Sequence, residues 1–105
     1  MKKIVYIVKE DVEVKSIFGY ETVIYNDAVN GLHAIKEFPF VLVIDLGLTR
    51  VTGLDCLNII RSNPFNHQIK IVVCSRNYNL RLIKKSFEMG ADFYVKLPLD
   101  VNELN

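Results

Sequence analysis

What this chain lacks narrows its function before any motif is considered. It has only two cysteines, Cys56 and Cys74. They have no CxxC spacing and lie inside apolar segments, so they read as buried, reduced thiols of a cytosolic protein. No apolar run approaches the ~18 residues of a membrane span. Met1-Lys2-Lys3 leads straight into a strand-like run without the cleavage site of a signal peptide. A net charge of +1 argues against a general polyanion binder. Dinucleotide binding is disfavoured because GxGxxG is missing, and hydrolase chemistry because there is no GxSxG elbow and no histidine partner for one. Flavin binding lacks its Ser/Thr/Gly-rich phosphate loop: the first apolar run is followed by Lys9-Glu10-Asp11-Val12. His33 and His67 show no ligand spacing and are read as surface residues. No repeat, low-complexity tract or linker interrupts the 105 residues. That length suits one domain, whose single core buries roughly 65% of the unfolded surface.

What is present is an alternation of β and helical patterns. Ile4-Val5-Tyr6-Ile7-Val8 and Phe40-Val41-Leu42-Val43-Ile44-Asp45 are continuous apolar runs, as strands buried on both faces require. Further strands are expected over 22–25, 69–74 and 93–95. A short helix is expected over 11–18, with Val14, Ile17 and Phe18 on one face and Gly19 as its stop. The next, capped by Asn26 or Asn30, carries Ala28, Leu32, Ile35 and Phe38 and ends at Pro39. Gly31 weakens its first half by about 1 kcal/mol relative to alanine. Gly53 opens a helix over 54–62 that Asn63-Pro64 closes, and a longer helix over 78–89 stops at Gly90. Residues 99–105 begin one more. Short connections between these elements imply βαβ units with right-handed crossovers. The expected fold is therefore α/β: a doubly wound five-stranded parallel sheet with a shortened first helix and a truncated last helix.

In such a sheet the carboxyl ends of the strands share one edge, where ligands bind. Lys9-Glu10-Asp11, Asp45, Ser75 and Lys96 all fall there. Carboxylates at that edge suit a hard cation such as Mg²⁺. A nearby hydroxyl and ammonium suit a phosphoryl group, and a carboxylate can then act as nucleophile to form an aspartyl-phosphate. The plainer roles are a loop-capping Asp45, a turn-forming Ser75 and a helix-capping Asp11. Asp55, like Asp100 and Glu103, reads as an acid that favours a helix N-terminus.

These residues resemble the response-regulator receiver domain, the flavodoxin-like (CheY-like) module of two-component signalling, over nearly the whole chain. Asp45 ends the third strand with Gly53 eight residues on, and Ser75 ends the fourth strand thirty residues beyond Asp45 (75 − 45 = 30). Gly90-Ala91-Asp92 matches the turn into the fifth strand, Tyr94 the family's rotating switch aromatic, and Pro98 its proline. The resemblance implies that Asp45 is the phosphoacceptor, that Ser75 contacts the phosphoryl group and that Glu10 and Asp45 ligate Mg²⁺. The departures are equally specific. The two adjacent acids that usually follow the first strand align with Lys9 and Glu10; a slip to Glu10 and Asp11 needs a bulge. The family's lysine position is Leu97, with Lys96 one residue early. Successive strand residues face opposite ways, so Lys96 is not bound to reach Asp45. Thr49 stands where the loop usually has a proline.

An ammonium beside Asp45 is worth around 4 kcal/mol at about 4 Å and an effective dielectric near 20, and it cannot ligate metal. The expectation is a Lys9–Asp45 ion pair that blocks the pocket, a reduced Mg²⁺ site, and weak or absent phosphorylation. The function expected is that of a regulatory receiver, residues 1–105 forming one unit and the N-terminal part of a longer regulator. It would answer to a sensor histidine kinase or another regulatory protein. Its output would run through the 78–89 helix and the last strand, with Tyr94 as switch and Arg81, Lys84 and Lys85 as a docking or homodimer face. A conventional aspartyl-phosphate switch is one alternative and a small-ligand-binding flavodoxin-like domain another. Beyond phosphoryl turnover on Asp45 itself, no enzyme activity is expected. The short basic helix and near-neutral charge disfavour direct nucleic-acid binding; DNA would be reached only through an output domain that this chain does not show.

Overall fold

The apolar, β-branched runs form strands, and a computed structural model, which describes residues 2–99, pairs them into one parallel sheet. Its strands are β1 (Lys3–Ile7), β2 (Glu21–Tyr25), β3 (Val41–Asp45), β4 (Lys70–Ser75) and β5 (Phe93–Lys96), in the order β2-β1-β3-β4-β5. This is the flavodoxin-like arrangement. Strands β1, β3 and β4 are buried on both faces, as their unbroken apolar runs require, whereas β2 and β5 form the partly exposed edges. Val5 lies level with Val23 on one side and Leu42 on the other, and Asp45 lies level with Cys74.

The two faces are covered differently. Val5, Ile7, Leu42, Ile44, Ile71 and Val73 pack against three helices: α1 (Ala28–His33), α2 (Gly53–Arg61) and α3 (Leu80–Glu88). On the other face Ile4, Tyr6, Val8, Val43, Cys74 and Val95 pack with Ile17 and with the half-buried Val12, Val14 and Tyr20. The helix expected over 11–18 does not form. Val12 and Val14 are half-buried while Glu13 and Lys15 are exposed, a period of two that fits an extended strap and not a helical stripe. Phe18, assigned to the buried side of that helix, is 100% exposed. Gly19, at φ +88, instead serves a turn in which Tyr20 N–H donates to Ile17 O at 3.1 Å.

Helix α1 is capped by Asp27, whose side chain accepts from Asn30 N at 2.9 Å. Asn26 instead donates to Val8 O, so neither asparagine named as a cap fills that role. The helix tightens into a 3-10 turn (Ala34–Glu37), and Phe38 leaves it in the left-handed region at φ 50, ψ 68, just before Pro39. Gly31 has a positive purpose here: a Cβ at that position would lie 2.6 Å from Ile7 Cδ1, so the glycine lets α1 approach β1. Thr52 and Asp55 form a reciprocal capping box that opens α2. The Asn79 side chain accepts from Leu82 N, which starts α3 at Leu80 and leaves Tyr78 outside it. Leu99 is half-buried, and the rest of the last expected helix, with Asp100 and Glu103, lies outside the described residues. Among those residues no helix is long and apolar enough to cross a membrane.

Arg61, at the end of α2, joins three elements. Its guanidinium donates to the carbonyls of Gly90, Asn66 and Ile69 at 2.8–2.9 Å and to Asp92 Oδ2 at 2.9 Å. The same Asp92 oxygen accepts from Ile71 N at 2.8 Å. Only a planar fork of donors satisfies this geometry. Arg61→Lys is expected to lower the unfolding free energy by about 2–4 kcal/mol in urea titration, through carbonyls left without donors. Little or no loss would show that water replaces the guanidinium.

Cys56 and Cys74 are fully buried at 0% exposure. Burial pushes the Cys56 thiol from the usual 9.0 up to about 11, with the neighbouring Asp55 adding to the effect. It pushes the Cys74 thiol up too, reinforced by the Asp45 carboxylate. The folded chain therefore holds these protons more tightly than the unfolded chain does. The resulting stability is present below the unfolded thiol value of 9.0 and is lost as pH rises through about 11. Urea midpoints measured across that range are expected to fall, and to fall less in Cys56→Ala; a flat profile would contradict the linkage.

Candidate functional site

Asp45 is the last residue of β3 and only 2% exposed. A carboxylate so buried must be hydrogen-bonded to stay charged. Its Oδ1 accepts from Gly47 N at 2.7 Å and its Oδ2 from Lys9 N at 3.1 Å. Two glycines make the arrangement fit. A Cβ at Gly47 would stand 3.1 Å from Asp45 Oδ1, and one at Gly53 would stand 2.6 Å from Asp45 O. The spacing from Asp45 to Gly53 thus has a steric cause, since α2 starts against the backbone of the β3 terminus.

Around Asp45 lies a cleft of about 250 Å³, lined among others by Lys9, Ser75, Arg76, Asn77 and Leu97. The expected Lys9–Asp45 ion pair is absent. The Lys9 main-chain N–H meets the carboxylate, and its exposed side chain lines the cleft without coming within 4.0 Å of an acidic oxygen of the described residues. The ammonium nevertheless stays beside the carboxylate: a Cβ at Gly47 would lie 3.8 Å from Lys9 Nζ and 3.1 Å from Asp45 Oδ1. Asp11, further along the same loop, pairs with Arg76 at 2.8 Å across the rim. Both partners are more than half exposed, so the pair adds little stability. Glu10 is exposed and does not line the cleft.

Ser75 is 6% exposed at the end of β4. Its hydroxyl donates to Asn77 O at 2.9 Å and lies 2.9 Å from the Tyr94 hydroxyl. With its one proton committed to Asn77, Ser75 accepts the proton of Tyr94. The Tyr94 ring meets Tyr78 edge-on, 6.4 Å between centroids. Lys96 lies level with Ser75 across the ladder but is exposed and does not line the cleft, whereas buried Leu97 does. The structure therefore brings together Asp45, Ser75, Lys9 and Tyr94, and leaves Lys96 and Glu10 outside. Arg81, Lys84 and Lys85 are exposed on α3 and border a groove of about 540 Å³ shared with Leu54 of α2. Arg76, which the sequence offers only as part of the basic run before α3, stands on the cleft rim, and sequence reasoning missed the clamp residue Arg61. No motif marks either, although Gly90-Ala91-Asp92 supplies two of Arg61's acceptors.

Mg²⁺ requires several oxygen ligands. Among the described residues no group of three or more His, Cys, Asp or Glu side chains is placed to hold a metal. Asp11 is paired with Arg76 and Glu10 lies off the cleft, so of these three acids Asp45 alone lines it.

A parallel sheet in the order 2-1-3-4-5, with a buried aspartate and a serine converging at its carboxyl edge, defines the flavodoxin-like fold class. A model of the response regulator receiver domain matches residues 6–105, and the chain belongs to that family. It is 28% identical over 90 residues to sporulation initiation phosphotransferase F of Bacillus subtilis, covering 82% of this chain and 68% of that protein. It is 34% identical over 79 residues to the two-component response regulator PhoP of Pseudomonas aeruginosa, covering 74% of this chain and 34% of that protein. A putative response regulator from Chloroflexus aurantiacus superposes with a TM-score of 0.82 at 20% identity, over 98% of this chain and 90% of that one. The Mn²⁺-bound form of response regulator Rcp1 gives 0.79 at 21%, over 99% and 86%.

Asp45→Asn tests how the carboxylate is held. An amide keeps one accepting oxygen and turns an NH₂ toward one of the two main-chain donors. The expected cost is about 1–2 kcal/mol in urea unfolding. A gain in stability would mean that the buried charge, and not its hydrogen bonding, dominates.

Proposed function

We propose that the chain is an atypical receiver: residues 1–105 form one cytoplasmic signal-receiving unit in which Asp45 undergoes little or no Mg²⁺-dependent phosphorylation. The donor set around Asp45 carries this reading. Lys9 stands at the first acid position, Asp11 is drawn off by Arg76, and Leu97 faces the cleft where the family places an ammonium. A phosphoryl group arriving there would find neither the metal nor the lysine that neutralises it in relatives.

The route outward starts at Ser75. Any event in the cleft that takes over the Ser75 oxygen removes the acceptor of Tyr94 and frees the ring that contacts Tyr78 at the approach to α3. The side formed by α3 and β5, with Arg81, Lys84 and Lys85, then meets a regulatory protein or a second copy. Input from a sensor histidine kinase or another regulatory protein fits the family, and control of transcription would pass through a separate DNA-binding domain. A conventional aspartyl-phosphate switch is the second reading, favoured by the direct Ser75–Tyr94 bond.

Incubation with a small phosphodonor and Mg²⁺, followed by intact-mass measurement, is expected to show little or no phosphoryl adduct. Lys9→Asp adds a hard oxygen ligand and removes a cation, and should raise labelling by about tenfold or more. Rapid stoichiometric labelling that Asp45→Asn abolishes would establish the conventional switch instead.

A further inference from the structure

The edge of the sheet opposite Asp45 carries an apolar surface that the receiver chemistry does not use. Phe38 and Phe40, just before β3, are 59% and 41% exposed; Ile59 on α2 is 52% exposed and Phe65, before β4, 80%. Singly such residues are ordinary, but a contiguous group marks an interaction site. Here they are contiguous. Two clefts of about 420 and 400 Å³ lie side by side and share Phe38 and Phe65 as their common ridge.

The backbone presents this ridge at a cost. Phe38 holds a left-handed conformation, at φ 50, in which a bulky side chain is strained and from which its ring projects toward solvent. Neither burial nor a hydrogen bond of its side chain accounts for a phenylalanine at that position.

The charged side chains directly at the clefts are lysines. Lys36 lines the first cleft, and Lys2 Nζ sits 4.2 Å above the Phe40 ring beside the second. Among the described residues no Asp or Glu lines either cleft, and the nearby Glu37 is already paired with Lys3 at 3.0 Å. A second copy meeting this surface about a two-fold axis would bring two copies of the same lysine-bearing patch together. A partner with carboxylates would meet the lysines favourably.

We infer that this amino-edge surface docks an amphipathic helical segment of another protein, with two large apolar anchors about one turn apart and acidic flanks. Each anchor occupies one cleft, and the flanking carboxylates meet Lys2 and Lys36. This docking is separate from the Asp45 cleft and stands or falls independently of the phosphorylation reading.

The test uses the full chain and a fluorescent helical peptide with two leucines one turn apart and glutamates on its flanks. A control peptide carries lysines in place of the glutamates. Saturable binding of the acidic peptide is expected, about tenfold or more tighter than the control. Amide NMR shifts should be confined to the neighbourhood of Phe38, Ile59 and Phe65. Lys36→Glu should weaken binding by about tenfold, as should Phe65→Ser. Phe38→Gly should also weaken binding while leaving the thermal midpoint unchanged or raised, since glycine tolerates positive φ. Equal affinity for the two peptides, shifts centred elsewhere or no saturable binding would overturn the inference. So would a dimer that Phe65→Ser abolishes.

Discussion

One carboxylate fastens the two loops that flank the central strand. Asp45 takes the N–H of Lys9 from the loop after β1 and the N–H of Gly47 from its own loop, so that its buried oxygens are satisfied at 2% exposure. Much of the neighbouring geometry follows. Gly47 must lack a side chain to leave room for the carboxylate oxygen, and Gly53 must lack one so that α2 can begin against the Asp45 carbonyl. Leu48 N–H closes the turn onto the same carbonyl. The cleft is a consequence of this knot of short contacts.

The sheet was legible because parallel strands buried on both faces leave an unambiguous mark: Ile4 to Val8 and Val41 to Ile44 admit no polar residue. Convergence of Asp45 with Ser75 was legible for the same reason, since parallel order puts their strand ends at one edge. Side-chain direction was not. Lys9 was expected to meet Asp45 through its ammonium, yet meets it through its main chain, a difference that residue type cannot encode. The strap over 11–18 was misread because Val14, Ile17 and Phe18 also satisfy a helical spacing. The alternation of Val12 and Val14 with Glu13 and Lys15 was the better guide. Asp27 was passed over as a cap because it sits between two asparagines of equal capping strength. Arg61 could not be found from pattern at all, because three of its acceptors are main-chain carbonyls.

The acids of the first loop have been redistributed without being lost. Asp11 remains close to the cleft but is turned to Arg76, and Glu10 faces solvent. Lys9 and Arg76 line the cleft around Asp45, and Arg76 is paired there with Asp11.

The Arg61 clamp gives the groove between α2 and α3 two unlike walls. On one side α2 is bolted by four hydrogen bonds to the β4 and β5 approaches. On the other, among the described residues, no α3 side chain hydrogen-bonds to the sheet; the Ser86 hydroxyl turns back to Ile83 within its own helix. Apolar contacts tolerate sliding where directed bonds do not. A displacement at the cleft would therefore be taken up more readily by α3 than by α2.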